Sequence, residues 1–234
     1  EDEWKVPAFL LEKLLICTFR NPDEKEREDY LKRNLREPPL VLAPEERKMI
    51  LEGKKIAFLG DSITASGLWV AEVYQHLRKN YKIKCYNCGV SGSIAERALG
   101  YMYEECLIYN PDYVVLMLGM NDMAINGYSR DDELTDEIIA YRKKWFDKHK
   151  ENYENIIKNC MSSGAEVIIC LPTPYDEVSE VETKAFAYQQ ALETAAAFQL
   201  EMADKYGCKV VNFKDNMLPM LGKEPIINDD RVHP

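Results

Sequence analysis

The sequence predicts one three-layer α/β domain, a parallel sheet of five strands covered by helices on both faces, with a helical extension in front of it. From Lys55 onward the apolar runs "KIAFL", "KIKCY", "DYVVLML", "EVIICL" and "CKVVNF" alternate with helical stretches at 68–80, 94–109, 131–160 and 184–206. Strands that are apolar throughout, set between helices, mark a parallel sheet buried on both sides. The 234 residues, 46% hydrophobic and 30% charged, suffice for one such domain with a core. No internal repeat or low-complexity tract interrupts the pattern.

The extension is assigned to residues 1–53 and the main domain to 54–234. Leu10, Leu11, Leu14 and Leu15 form a helical stripe. Asn21 and Pro22 have the residue types of an N-cap and first helical position, with acids following. Pro44 and Gly53 bracket a third short helix. Packing against the main domain is the expected role of all three.

Charge and cysteine content narrow the partners. A formal charge of −10 argues against nucleic acid or an anionic membrane as partner. No apolar run approaches the ~20 residues of a membrane span. Seven cysteines, scattered through predicted strands and helices, do not suggest a disulfide framework. Cys85 and Cys88 form a C-x-x-C inside a strand-like run, with no second pair at zinc spacing. A cytoplasmic protein without metal or cofactor is therefore expected. The sequence starts at Glu1 rather than Met, which leaves room for a removed leader.

In a parallel sheet, ligands bind outside the carboxyl ends of the strands. After the first strand comes Gly60-Asp61-Ser62, and after the second "NCGVSGSIAE". The third is followed by "GMNDM" with Asn121, the fourth by "PTPYDE", and the segment after the fifth ends in "NDDRVHP". Small and polar residues thus gather at one edge. A serine there is a weak nucleophile unless a base takes its proton. Of three histidines, His76 lies about eight residues into the following helix, roughly 12 Å back from the edge. His149 sits in "RKKWFDKHKENYEN", which reads as a solvated charged face. His233 remains, and Asp230 three residues earlier can reach its Nδ1 while Nε2 faces Ser62. That is the logic of nucleophile, base and orienting acid. Ser93 and Glu96 have the spacing of a capping box, which would set Gly92 just before a helix N-terminus with a free N–H. That N–H, the Asn121 amide and the Ser62 N–H are candidate oxyanion donors.

Together, "GDS" at Gly60–Ser62, Gly92 in "VSGS", "GMND" at Gly119–Asp122 and "DRVH" at Asp230–His233 resemble the four blocks of the SGNH (GDSL-type) esterase and lipase family, in order, over Lys55 to Pro234. The resemblance implies a flavodoxin-like αβα sandwich. It also implies a serine hydrolase using Ser62, Asp230 and His233, with Ser62, Gly92 and Asn121 as oxyanion hole. The helical prefix is additional to the family pattern, and the C-terminal helix that usually follows the histidine is absent from the sequence. Family substrates include acetylated sugars, short-chain esters, thioesters and lysophospholipids; no long acyl groove or membrane-binding helix is recognisable, which favours short, acetyl-type esters. Asp61, Tyr128 and Tyr175 are candidate substrate contacts, the tyrosines as stacking platforms for a sugar ring, although Asp61 and Asp122 are also suited to bracing their own loops. Two rival readings stand beside this one. Asp61 and Asp122 could hold Mg²⁺ for phosphoryl transfer, which leaves His233 and Gly92 without roles. A non-catalytic flavodoxin-like interaction module would have no reactive serine.

Overall fold

A computed structural model describes residues 51–128, 134–178, 185–223 and 226–234. The predicted helices of the extension fall almost wholly outside the described residues. The five strands are β1 (Lys55–Gly60), β2 (Lys84–Gly89), β3 (Tyr113–Met117), β4 (Glu166–Cys170) and β5 (Lys209–Val211). All pairings are parallel, in the order β2-β1-β3-β4-β5. The main helices are α1 (Ser62–Ala65), α2 (Leu68–Leu77), α3 (Ala95–Glu105), α4 (Asp136–Ser162), α5 (Tyr188–Tyr206) and α6 (Lys214–Met217). Among the described residues no helix is long and apolar enough to cross a membrane.

The strands alternate between two cores. Ile56, Phe58, Val115, Met117, Ile168 and Cys170 face α2 and the N-terminal half of α5. Ala57, Leu59, Val114, Leu116, Val167 and Ile169 face α3 and α4. Both faces being apolar explains why the central strands read as unbroken hydrophobic runs. β2 is an edge strand with mostly half-buried or exposed residues, and it begins two residues later than "KIKCY" suggests, continuing to Gly89. Its polar Asn87 escapes a reading based on apolar runs.

The long helix α4 is N-capped by Thr135, whose hydroxyl accepts from the Ile138 N–H at 3.3 Å, with Asp136 and Glu137 in the first turn. Acids there complement the positive end of the helix dipole. In order 2-1-3-4-5 the chain leaves β1 to one side and returns to the other at β3. The crevice at the carboxyl ends of β1 and β3 is therefore the topological switch point. Ser62 and Asn121 lie just beyond those two ends.

Close approach at this edge restricts residue choice. A Cβ on Gly89 would lie 2.4 Å from Ala65 N, 2.7 Å from Thr64 C and 2.9 Å from Ala65 Cα, all backbone atoms of α1. Gly89→Ala must therefore push α1, with Ser62 on it, away from β2. We expect a loss of about 1–3 kcal/mol in urea unfolding. Gly100→Ala, at a position in α3 where an added Cβ meets nothing within 4 Å, is the control; it should be neutral or stabilising by about 0.5–1 kcal/mol.

Candidate active site

The turn after β1 is built around Asp61. Its carboxylate caps α1 by accepting from the Ile63 N–H at 3.0 Å, which sets Ser62 at the first helical position. Asn87 of β2 donates to Thr64 O at 2.8 Å and fixes the turn from the side. Asp61 is 1% exposed. Burial pushes its pKa up to about 6, helped by the charge of Asp122 and opposed by the Ile63 N–H and the nearby His233.

The segment Asp230–His233 meets this turn from the far end of the chain. His233 Nε2 lies 2.6 Å from Ser62 Oγ, and His233 Nδ1 lies 2.6 Å from Asp230 Oδ2. The other carboxylate oxygen of Asp230 accepts from the Val232 and His233 N–H groups, each at 3.0 Å. Partial burial works against ionisation of Asp230, but the His233 and Val232 N–H groups and the His233 ring outweigh it and hold its pKa below the ordinary value. With an ionised acceptor at Nδ1, the ring carries its proton there and presents a lone pair to Ser62.

Arg231 anchors the segment. It is buried, has a φ of 66°, and its Nη1 donates to Asp176 O at 2.7 Å. The Asp176 N–H donates back to Arg231 O at 3.1 Å. The loop after β4 thereby holds the backbone from which His233 projects. Nothing in the sequence marks Arg231 as inward-pointing, because an arginine between two site residues ordinarily lies in solvent.

Across β1 lie the loops after β2 and β3. Gly92 has a φ of 70°, and its N–H takes no protein acceptor among the described residues. Asn121 Nδ2 donates to Ser93 O at 3.1 Å, which leaves its second amide hydrogen uncommitted to that bond. Gly92 and Asn121 line an open groove of about 370 Å³ together with Ile94, Arg97, Ile125, Asn126, Tyr141 and Trp145.

Several expectations need correction. Tyr128 is 8% exposed and Tyr175 1%, and both pack edge-on against Tyr188. Neither offers a face to a sugar. The aromatics that line the groove are Tyr141 and Trp145, one turn apart on α4, in a stretch whose dense charge hides them. Asp61 is committed to its own turn rather than to substrate. Ser93 and Glu96 do not cap α3: Ile94 holds the cap position, Ser93 Oγ lies 3.1 Å from Tyr101 Oη, and Glu96 pairs with Lys148. His149 is not on a solvated face but 1% exposed, with Nδ1 2.9 Å from Asp122 Oδ1 at an angle too oblique for a hydrogen bond. Asp122 does not brace its own loop either; its Oδ1 accepts from the Ala95 N–H at 2.8 Å. Among the described residues no three His, Cys, Asp or Glu side chains are grouped to hold a metal, and Asp61 and Asp122 are both buried and engaged with backbone.

Asp61 makes stability depend on pH. Its folded pKa lies near 6 against an ordinary 3.8, so between these values the folded state binds more protons than the unfolded. Its contribution is thus fully present below pH ~4 and lost as pH rises through ~6. Asp61→Asn keeps an oxygen for the Ile63 N–H and removes the charge. We expect it to raise stability at pH 8 by up to about 3 kcal/mol, a gain that disappears in urea melts at pH 4.

The profile of the GDSL-like Lipase/Acylhydrolase family matches residues 58–234. No curated protein matches the sequence significantly. Among solved structures, a gut microbial diltiazem-metabolizing enzyme superposes with a TM-score of 0.67 at 22% identity, covering 80% of this chain and 44% of that one. The chain thus spans less than half the length of that enzyme. Axe2, an acetylxylan esterase from Geobacillus stearothermophilus, superposes with a TM-score of 0.62 at 20% identity over 79% of this chain and 88% of its own. LAE5, an alpha/beta hydrolase enzyme from the metagenome of Lake Arreo, Spain, gives 0.59 at 18% over the same shares. At such identities the structural likeness is one of fold. Because the family profile runs from Phe58 in β1 to the last residue and takes in every loop at the carboxyl edge of the sheet, the chain belongs to the GDSL-like lipase/acylhydrolase family and is an ester-hydrolysing enzyme.

Proposed function

We propose that the protein is a serine esterase that removes short acyl groups, acetyl above all, from carbohydrate alcohols through a Ser62 acyl-enzyme. The observation that carries this is the unbroken line from Asp230 Oδ2 through the His233 ring to Ser62 Oγ, with both links at 2.6 Å. As Ser62 Oγ attacks the ester carbonyl carbon, His233 Nε2 takes its proton. Negative charge gathers on the carbonyl oxygen, where the N–H groups of Ser62 and Gly92 and the amide of Asn121 are the donors. The tetrahedral intermediate collapses, the bond to the alcohol oxygen breaks, and the His233 imidazolium delivers its proton to the departing alcohol. Water, deprotonated by His233, then attacks the acyl carbon and releases the acid and free Ser62.

The substrate class rests on the groove. Its lining mixes Arg97, Asn121 and Asn126 with Tyr141 and Trp145, polar hydrogen-bonding groups beside aromatic faces. That combination suits a hydroxylated ring better than a long acyl chain, and an acetylxylan esterase shares the fold. The lysophospholipase and thioesterase readings would instead need an extended apolar channel or a thioester-bearing partner. A cytoplasmic setting fits Cys85, Cys88, Cys106, Cys160, Cys170 and Cys208, which are free thiols.

Ser62→Ala should lower kcat about 10⁴-fold or more with the fold intact by circular dichroism; ester turnover near the wild-type rate would refute the nucleophile. In a series of acetyl, butyryl and octanoyl esters, kcat/KM should fall with chain length, and a preference for octanoyl would favour the lipase reading. Trp145→Ala should reduce kcat/KM on acetylated oligosaccharides while sparing simple alkyl acetates.

The reaction needs His233 neutral to accept the serine proton, so kcat/KM should be low in acid and higher at alkaline pH. Asp230→Asn removes the charge that fixes the ring and should cut kcat by up to about 10⁴-fold. A pH–rate profile that is flat from mildly acidic to alkaline conditions would contradict the role given to His233.

A further inference from the structure

We infer that Asp122, braced by His149 and Gln199, is a positioning residue that sets the spacing of the oxyanion donors Gly92 and Asn121. The inference rests on the oxyanion assignment proposed above. Two consecutive residues of the loop after β3 grip two residues, Ser93 and Ala95, where the loop after β2 enters α3. Asn121 Nδ2 donates to Ser93 O at 3.1 Å, and Asp122 Oδ1 accepts from the Ala95 N–H at 2.8 Å. Gly92 immediately precedes the gripped segment, and Asn121 belongs to the gripping one. The distance between the two donors is therefore governed by this clamp.

The N-terminus of α3 depends on it as well. Ile94 at the cap position has no oxygen to offer, and no side chain of the helix's own cap residue satisfies its first N–H groups. Asp122 supplies the acceptor from another loop, with its negative charge at the positive end of the helix.

Behind the clamp stands a buried brace from two further helices. Asp122 is 3% exposed, His149 1% and Gln199 0%. His149 Nδ1 of α4 stands 2.9 Å from Asp122 Oδ1, and its Nε2 is 3.5 Å from Gln199 Nε2 of α5. The same Gln199 amide donates to Leu118 O at 2.8 Å, at the root of the Asn121 loop. The Gln199 amide donates to both, and the His149 ring sets its Nδ1 edge against the Asp122 carboxylate at contact distance without a hydrogen bond. Gly119 permits this approach: with a φ of 130°, an added Cβ there would lie 2.8 Å from Pro172 Cγ and 3.1 Å from Gln199 Nε2. Three buried polar side chains, one on the loop itself and one from each of two helices, thus meet behind Asn121.

A double-mutant cycle between Asn121→Ala and Asp122→Ala tests the inference, with kcat and KM measured separately on an acetyl ester. Asn121→Ala should lower kcat about 10²–10³-fold. Asp122→Ala should lower kcat about ten- to hundred-fold by misplacing the donors, with KM changed less than about two-fold. Combined, the two should cost little more than Asn121→Ala alone, because the positioning residue has nothing left to position. Asp122→Asn, which keeps an oxygen for the Ala95 N–H, should restore most of the activity. If Asp122→Ala does not fold, His149→Gln takes its place in the cycle, with a smaller kcat loss that again vanishes in the Asn121→Ala background. A large Asn121 effect with a fully additive Asp122 or His149 effect overturns this inference alone. An Asn121→Ala enzyme with wild-type kcat overturns the oxyanion assignment and this inference with it.

Discussion

The contact between Ser62 Oγ and His233 Nε2, made across 171 residues of sequence, can form only because every strand of the sheet points the same way. In a parallel sheet each strand deposits its following loop at one edge, and residues remote in sequence become neighbours there. β1 lies between β2 and β3, so the loop with Ser62 is flanked by the loops with Gly92 and Asn121. The packing on both faces serves that geometry: two apolar cores hold the sheet rigid, and the rigid sheet fixes where its loops begin.

Each loop at the edge is then tied down by a buried polar group of its own. Asp61 caps the Ser62 turn, Asn121 and Asp122 clamp the Gly92 segment, and Arg231 fastens the Asp230–His233 segment to the loop after β4. These attachments are costly. Asp61 and Asp122 are carboxylates almost without solvent contact, and Asp122 adds to the cost of ionising Asp61. A protein selected for stability alone would replace them with neutral groups. Their presence at the one edge where chemistry is proposed is the familiar exchange of stability for a preorganised site.

Much of this was readable in the sequence, for physical reasons that also mark where reading stopped. Central strands buried on both faces are continuous apolar runs and declare themselves, whereas the edge strand β2 keeps polar residues such as Asn87, so its apolar run ends before the strand does. The small and polar residues after each strand identified Ser62, Asp230 and His233 as candidates, because elimination among three histidines is a strong constraint. Burial of single polar residues was not readable. His149 lies in a run of lysines and acids, yet its position on α4 turns it inward, while Trp145 and Tyr141 from the same run face the groove. Tyr128 and Tyr175 show the converse: a tyrosine after a strand end reads as a surface group, yet both are packed around Tyr188. The spacing Ser93-x-x-Glu96 suggested a local cap, but the real acceptor, Asp122, comes from 27 residues further along the chain and leaves no local trace.

The claim on which everything else depends is that Ser62 carries the acyl group during turnover. Rapid acid quenching of the enzyme mixed with an acetyl ester, followed by peptide mass spectrometry, measures it directly. The account predicts an acetyl group on the peptide containing Ser62, formed within one turnover and absent from a His233→Ala enzyme. Acetyl on another residue, or turnover with no covalent intermediate at any quench time, would contradict it.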